Sequence, residues 1–244
     1  MIDLTPRQIQ ILRSIIEEYI QSAEPVGSET LDRKYNLGIS PATIRNEMVY
    51  LARQGYLSKT HSSAGRAPTP LAMKLYVNEL MKEKELSVAD EVSAKEKIWD
   101  SRKEVDALLQ QVTAALAERA HALGITMTDQ HKLYHAGYSN LLQMPEFYDI
   151  EVMRAVLSLI EEVSLLDEIF DSGNAENTIR VVYGSELGGK HMESVGVIFM
   201  NLTFGDMSCH MGLIGSSRFN YSYIFPMMKY FRSLIQQFIE QEQS

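Results

Sequence analysis

The segment from Gly38 to Leu57, GISPATIRNEMVYLARQGYL, constrains the fold of this chain more than any other. Ser40 is a good N-cap, and Pro41 suits the first helical position, where no amide hydrogen is needed. Gly55 suits the position just past a helix end. Between them, Ile44, Met48 and Leu51 fall on one stripe at spacings of four and three. Ala42, Asn46 and Arg53 point the opposite way. Thr43 and Tyr50 flank that outer face on one side, and Arg45 on the other. A face that starts small and continues with amide, hydroxyl and guanidinium has the chemistry to read base edges and phosphates in a major groove. Any globular helix has a polar outer face, so the neighbouring segments must decide.

They form an ordered set. Pro6 to Ile20 predicts an amphipathic helix, with Ile9, Leu12, Ile16 and Tyr19 on one side and Ile15 and Ile20 beside them. Ser22-Ala-Glu-Pro-Val-Gly27 breaks that pattern. Ser28 is expected to cap a short helix over Glu29 to Tyr35, and Gly38 is free to take positive φ in the next turn. Helix, short helix, turn and polar-faced helix is the helix-turn-helix order. Tyr56 to His61 alternates like a strand, Ser62-Ser-Ala-Gly-Arg66 reads as a hairpin tip, and Ala67-Pro-Thr69 returns. That is a wing. Pro70 then starts a helix through Leu71, Leu75 and Leu80.

Charge agrees locally. The whole chain carries −9, with 23 Lys+Arg against 32 Asp+Glu, so no bulk basic field draws it to nucleic acid. Between Arg33 and Lys74, however, seven basic residues (Arg33, Lys34, Arg45, Arg53, Lys59, Arg66, Lys74) stand against Glu47 alone. Phosphate binding needs such a patch.

Ala23-Glu-Pro-Val-Gly-Ser28, Ser40-Pro-Ala-Thr-Ile-Arg-Asn-Glu-Met48, Gly55-Tyr-Leu57, His61-Ser-Ser-Ala-Gly-Arg66 and Pro68-Thr69 together resemble the N-terminal domain of the HrcA heat-shock transcription repressors. The resemblance is dense over about the first 80 residues. It resumes at Gly137–Phe147, similar to the segment entering that family's GAF-like core, and at Gly212–Tyr221, similar to its C-terminal signature. Ser216, Ser217, Phe219 and Asn220 depart from that signature, and Pro70–Lys74 departs from the family's usual continuation after Thr69. The chain is shorter than is typical of the family, and the resemblance places the absent part around Gly124 to Leu133. It implies a dimeric repressor bound to the CIRCE inverted repeat upstream of chaperone operons, with the chaperonin GroEL as a partner.

At 244 residues the chain has room for two domains. A single cysteine, Cys209, excludes an internal disulfide and suits a cytoplasmic location. The N-terminus lacks the basic start of a signal peptide, and no apolar run approaches the roughly 18 residues of a membrane span. Lys82 to Gly124 is rich in helix formers. There Val105, Leu109, Val112 and Leu116 keep a four-three rhythm for only about two heptads, so both packing on the C-terminal domain and pairing with a second chain remain open. Beyond it, Ile150 to Phe170 predicts a helix. Thr178–Tyr183, Ser194–Met200 and Ser208–Ile214 predict strands, with a hairpin turn at Phe204-Gly-Asp206, and Ile224 to Ile239 predicts a closing helix.

Spacing argues against other chemistry. His131 and His135 with Asp129 lack a third matched metal ligand. Gly184-Ser-Glu-Leu-Gly-Gly189 lacks the Lys-Ser/Thr ending of a P-loop. Cys209 lies in an apolar strand, and there is no nucleophile elbow or carboxylate pair. Neither enzyme activity, cofactor nor metal is expected. Arg218 is open to two roles, an effector contact or a buried tie between the last strand and the final helix.

The expectation is an α+β protein: a winged helix-turn-helix domain over 1–81, a helical linker over 82–124 and a GAF-like domain over 125–244. Thr43, Arg45 and Asn46 should lie nearest to bases in the major groove. The helix start at Ser28, with Lys34 and Arg53, should hold phosphates. Ser40 heads the recognition helix, and Ser62, Ser63 and Arg66 belong to the wing, with Arg66 at its tip. The partners are a double-stranded operator and a second copy of the chain. Two alternatives are a small-molecule-gated regulator and a winged helix that binds protein or RNA.

Overall fold

The computed structural model describes residues 4–59, 65–171, 178–187, 190–204 and 207–242. The chain divides into two compact units, 1–82 and 83–244.

The first unit begins with α1 (Pro6–Ser22). Thr5 caps it, and Thr5 and Gln8 exchange the two bonds of a capping box. Its buried stripe is Ile11, Leu12, Ile15 and Ile16. Ile9, Tyr19 and Ile20 are only half-buried, so the packed face is turned toward Ile11 relative to the spacing argument. The helix ends at Ala23, in the left-handed region at φ 61°. α2 (Ser28–Tyr35) has Gly27, not Ser28, at its N-cap, and no side chain caps it. α3 (Pro41–Arg53) is capped by Ser40, whose hydroxyl accepts from the Thr43 amide at 3.2 Å. Gly38 and Gly55 take positive φ on either side of it.

β1 (Leu57–Lys59) and β2 (Arg66–Pro68) pair antiparallel, with Lys59 opposite Arg66. The hairpin tip, with Ser62 and Ser63, lies outside the described residues. Arg66 is therefore a strand residue below the tip rather than at it. α4 (Pro70–Leu75) is capped by Thr69 and runs into a π-helical turn, Tyr76–Leu80. That turn ends where Arg13 Nη2 donates to the Leu80 carbonyl. Burial here falls on Ala72, Met73, Leu75, Tyr76 and Leu80, while Leu71 is exposed.

The second unit is built on a five-stranded antiparallel sheet in the order β4-β3-β7-β6-β5. The strands are β3 (Leu123–Thr128), β4 (Leu133–Ala136), β5 (Arg180–Tyr183), β6 (Val195–Phe204) and β7 (Met207–Ser216). The hairpin of β3 and β4 covers Gly124 to Leu133, the stretch at which the resemblance places the family's additional segment. Leu123, Ile125, Met127, Val195, Val197, Phe199 and Ile214 share one core with α7 (Tyr138–Leu141), α8 (Ile150–Glu161), α9 (Val163–Asp171) and the 3-10 turn Pro145–Tyr148. The expected single helix over 150–170 is thus two, broken at Glu162 (φ −96°, ψ 87°). The pairing of Phe204 with Met207 flanks the expected turn, whose Gly205 and Asp206 lie outside the described residues.

α5 (Val88–Trp99), α6 (Val105–Ala120) and α10 (Tyr221–Glu242) complete the unit. α6 packs on β3, β4 and β7. Thr113 on α6 shares a 2.6 Å hydrogen bond with Thr126 on β3, and a Cβ on Gly124 would lie 2.5 Å from the Thr113 carbonyl. The stretch 82–124 is therefore not a free-standing linker. Its apolar rhythm buries Leu109, Val112 and Leu116 inside the second unit. The whole is an α+β fold, with the unit after Lys82 built on a five-stranded antiparallel sheet packed with helices.

Candidate nucleic-acid interface

α3 turns Ile44, Met48 and Leu51 fully inward and leaves Ala42, Arg45, Asn46, Tyr50 and Arg53 exposed. Thr43 is half-buried, and its hydroxyl lies 3.0 Å from that of Ser40. Glu47, the one acidic residue between Arg33 and Lys74, points the other way. It accepts from Gln8 Nε2 at 3.0 Å and pairs with Arg7 at 3.1 Å. Its negative charge is thus neutralised on the α1 side, away from the outer face.

The segment between α1 and α2 joins the wing. Val26 and Arg66 exchange backbone hydrogen bonds of 2.9 and 3.0 Å, which adds a third strand-like edge to the hairpin. Gly65 crosses Pro25 so closely that a Cβ there would sit 2.6 Å from the proline Cβ. This crossing leaves no room for a side chain at position 65.

Between α3, the start of α2 and the wing lies an open cleft of about 500 Å³, lined by Ser28, Arg45, Lys59 and Arg66 among others. Three residues expected at the interface, Ser28, Arg45 and Arg66, meet here. Lys59, which spacing alone does not single out, joins them because the β-register sets it opposite Arg66. Asn46 and Arg53 remain on the open face of α3.

Lys34 is placed differently. Its ammonium sits 2.5 Å from Glu18, whose side chain is 5% exposed. The Tyr35 hydroxyl also donates to Glu18, at 3.4 Å. Burial and the nearby carboxylates push Tyr35 up to about 12. Lys34 thereby neutralises a buried acid within the first unit.

In the second unit, Arg218 Nε and the Ser216 hydroxyl both donate to Glu146 Oε1, the latter at 2.8 Å. Burial opposes ionisation of Glu146, but these bonds and the guanidinium charge outweigh it and hold the carboxyl below its usual range. Arg218 thus ties the end of β7 to the 3-10 turn before α8, beside a small pocket of about 260 Å³. His131 pairs with Asp167 at 3.2 Å, whereas the His135 ring meets Tyr138 edge-on. Among the described residues no group of three or more His, Cys, Asp or Glu could hold a metal, and no helix is long and apolar enough to cross a membrane.

Residues 69–224 match the family model described as the HrcA protein C-terminal domain. The heat-inducible transcription repressor HrcA of Symbiobacterium thermophilum is 26% identical over 88% of this chain and 93% of its own length. That of Acetivibrio thermocellus is 26% identical over 97% of both. The latter alignment runs over 339 positions against 244 residues here, so the relative carries additional segments within it. HrcA of Clostridium acetobutylicum reaches 45% identity, but over 48% of this chain. A crystal structure described as a hypothetical protein shares the fold, with a TM-score of 0.82 at 18% identity over 98% of this chain and all of its own. With well over half of its length matched by the family model, the chain belongs to the HrcA family.

Proposed function

We propose that this chain is a cytoplasmic, DNA-binding transcription repressor of heat-shock genes. The observation that carries the reading is the exposed face of α3 beside a basic wing, in a chain whose relatives are named heat-inducible transcription repressors. A helix about 10–12 Å across fits a major groove about 12 Å wide. Asn46 presents both an amide donor and a carbonyl acceptor, which suits adenine, and Thr43 suits a thymine methyl or a base acceptor. In this reading Arg53, exposed at the far end of the helix, meets a phosphate.

One winged helix reads one half-site, so two copies related by a twofold axis would read an inverted repeat. The family resemblance implies that the repeat is of the CIRCE type and that the working form is a homodimer. From the family resemblance, the chaperonin GroEL is the partner that keeps the repressor competent. A small-molecule-gated alternative draws no support from Arg218, because Glu146 engages its guanidinium.

Fluorescence anisotropy on a labelled CIRCE-type duplex tests the reading, with a scrambled duplex as control. Tight binding to the repeat alone, at two chains per duplex, is expected, and Asn46→Ala should cost about 1–3 kcal/mol of discrimination. Absence of binding to either duplex would refute it.

A further inference from the structure

Arg45 has a second available task besides base contact, and the geometry of the cleft favours it. Lys59 and Arg66 are direct cross-strand neighbours in the wing. Directly opposed side chains share a face, and like charges so placed repel. Arg45 on α3 lines the same cleft. Arg66 donates through Nη1 to the Gly65 carbonyl at 3.1 Å, while its Nε is buried with no hydrogen-bond partner among the described residues. The start of α2 also lines the cleft. Gly27 supplies no side-chain acceptor there, so the first-turn amides of Ser28, Glu29 and Thr30 have none from a cap. Glu24 and Glu29 also line the cleft, which leaves an excess of one positive charge, and the helix amides add to it.

A repelling pair, an unpartnered buried guanidinium nitrogen and uncapped helix amides all call for the same occupant, an oxyanion. Resting on the DNA-binding reading above, we infer that Arg45, Lys59 and Arg66 close with the amide end of α2 around one backbone phosphate of the operator. Arg45 is then a positioning contact that fixes how α3 enters the groove, and sequence discrimination falls to its neighbours on the open face, Asn46 above all. The wing contributes through its strand bases, next to the cleft.

The test uses the full chain with Arg45→Ala, Lys59→Ala, Arg66→Gln and Asn46→Ala variants. Anisotropy is measured on the CIRCE-type duplex and on a scrambled duplex across a salt series. A phosphate contact carries no sequence information, so each of the first three variants should weaken binding several-fold and equally on both duplexes. Each should also reduce the slope of log K against log salt by about 0.9. Asn46→Ala should lose affinity for the repeat only, with the slope unchanged.

If Arg45→Ala loses only the preference for the repeat, Arg45 reads a base and the inference is overturned. If Lys59→Ala and Arg66→Gln leave both affinity and slope intact, the cleft holds no phosphate. Lys59 is exposed, so Lys59→Ala keeps the test valid should Arg66→Gln unfold, which circular dichroism would reveal. A wild-type chain that binds neither duplex would instead remove the DNA reading itself.

Discussion

Val26 and Arg66 exchange both of their backbone hydrogen bonds, at 2.9 and 3.0 Å, and so bind the loop after α1 to the returning strand of the wing. The bridge sets the height of Arg66 against the start of α2. It also forces Gly65 to pass over Pro25 without a side chain. Orientation of the wing and burial of the α1–α2 loop are therefore one packing problem.

Gly65→Ala should expose that dependence. A Cβ 2.6 Å from Pro25 and 2.8 Å from its carbonyl leaves no room without a backbone shift. Overpacking of this kind costs about 1–3 kcal/mol. Urea unfolding followed by circular dichroism should show the loss in the first unit, and an unchanged midpoint would mean the crossing is loose.

Lys34→Ala separates structural from DNA-facing charge. Lys34 neutralises Glu18, which is nearly buried, while Lys34 itself is half exposed. Screening by solvent limits the expected stability loss to about 1 kcal/mol. DNA affinity and its salt slope should stay unchanged. A fall in the slope with stability intact would show that Lys34 meets phosphate after all.

The Glu146–Arg218 pair gives the second unit an acid limit. Burial works against the Glu146 charge, but Arg218 and Ser216 more than offset it, so the folded pKa lies below the ordinary 4.5. A depressed carboxylate contributes stability that is present above the unfolded value and is lost as pH falls through the folded one. Thermal melts between about pH 3 and 7 should show this limb below 4.5. Glu146→Gln should flatten it and lower stability at neutral pH. A variant that keeps the full acid limb would exclude Glu146 as its source.

Cys209 should be silent in the native protein. It is 1% exposed on β7, and burial, with Asp129 nearby, pushes its thiol up to about 12. The reactive thiolate is therefore scarce at neutral pH. A thiol reagent should label it only as denaturant opens the sheet, and rapid labelling of folded protein would contradict the packing.

Local chemistry makes α3 legible in the sequence. Ser40, Pro41 and Gly55 act within a turn of their own positions, and the stripe of Ile44, Met48 and Leu51 needs only helical spacing. The same holds for the Thr69 cap and for the wing strands. The strand β3 is not legible in that way. All six of its residues are buried, so no alternation marks it.

Tertiary structure alone decided how the charges are spent. Glu47 and Lys34 look equally available in the sequence, yet Gln8 and Arg7 claim one and Glu18 the other. Arg45, Lys59 and Arg66 come from three separate elements and meet only because the wing register and the Val26 bridge bring them to one cleft. Caps and periodicity depend on neighbours in the chain, so sequence determines them. Ion pairs and clefts depend on which distant segments pack together, and only the folded chain settles that.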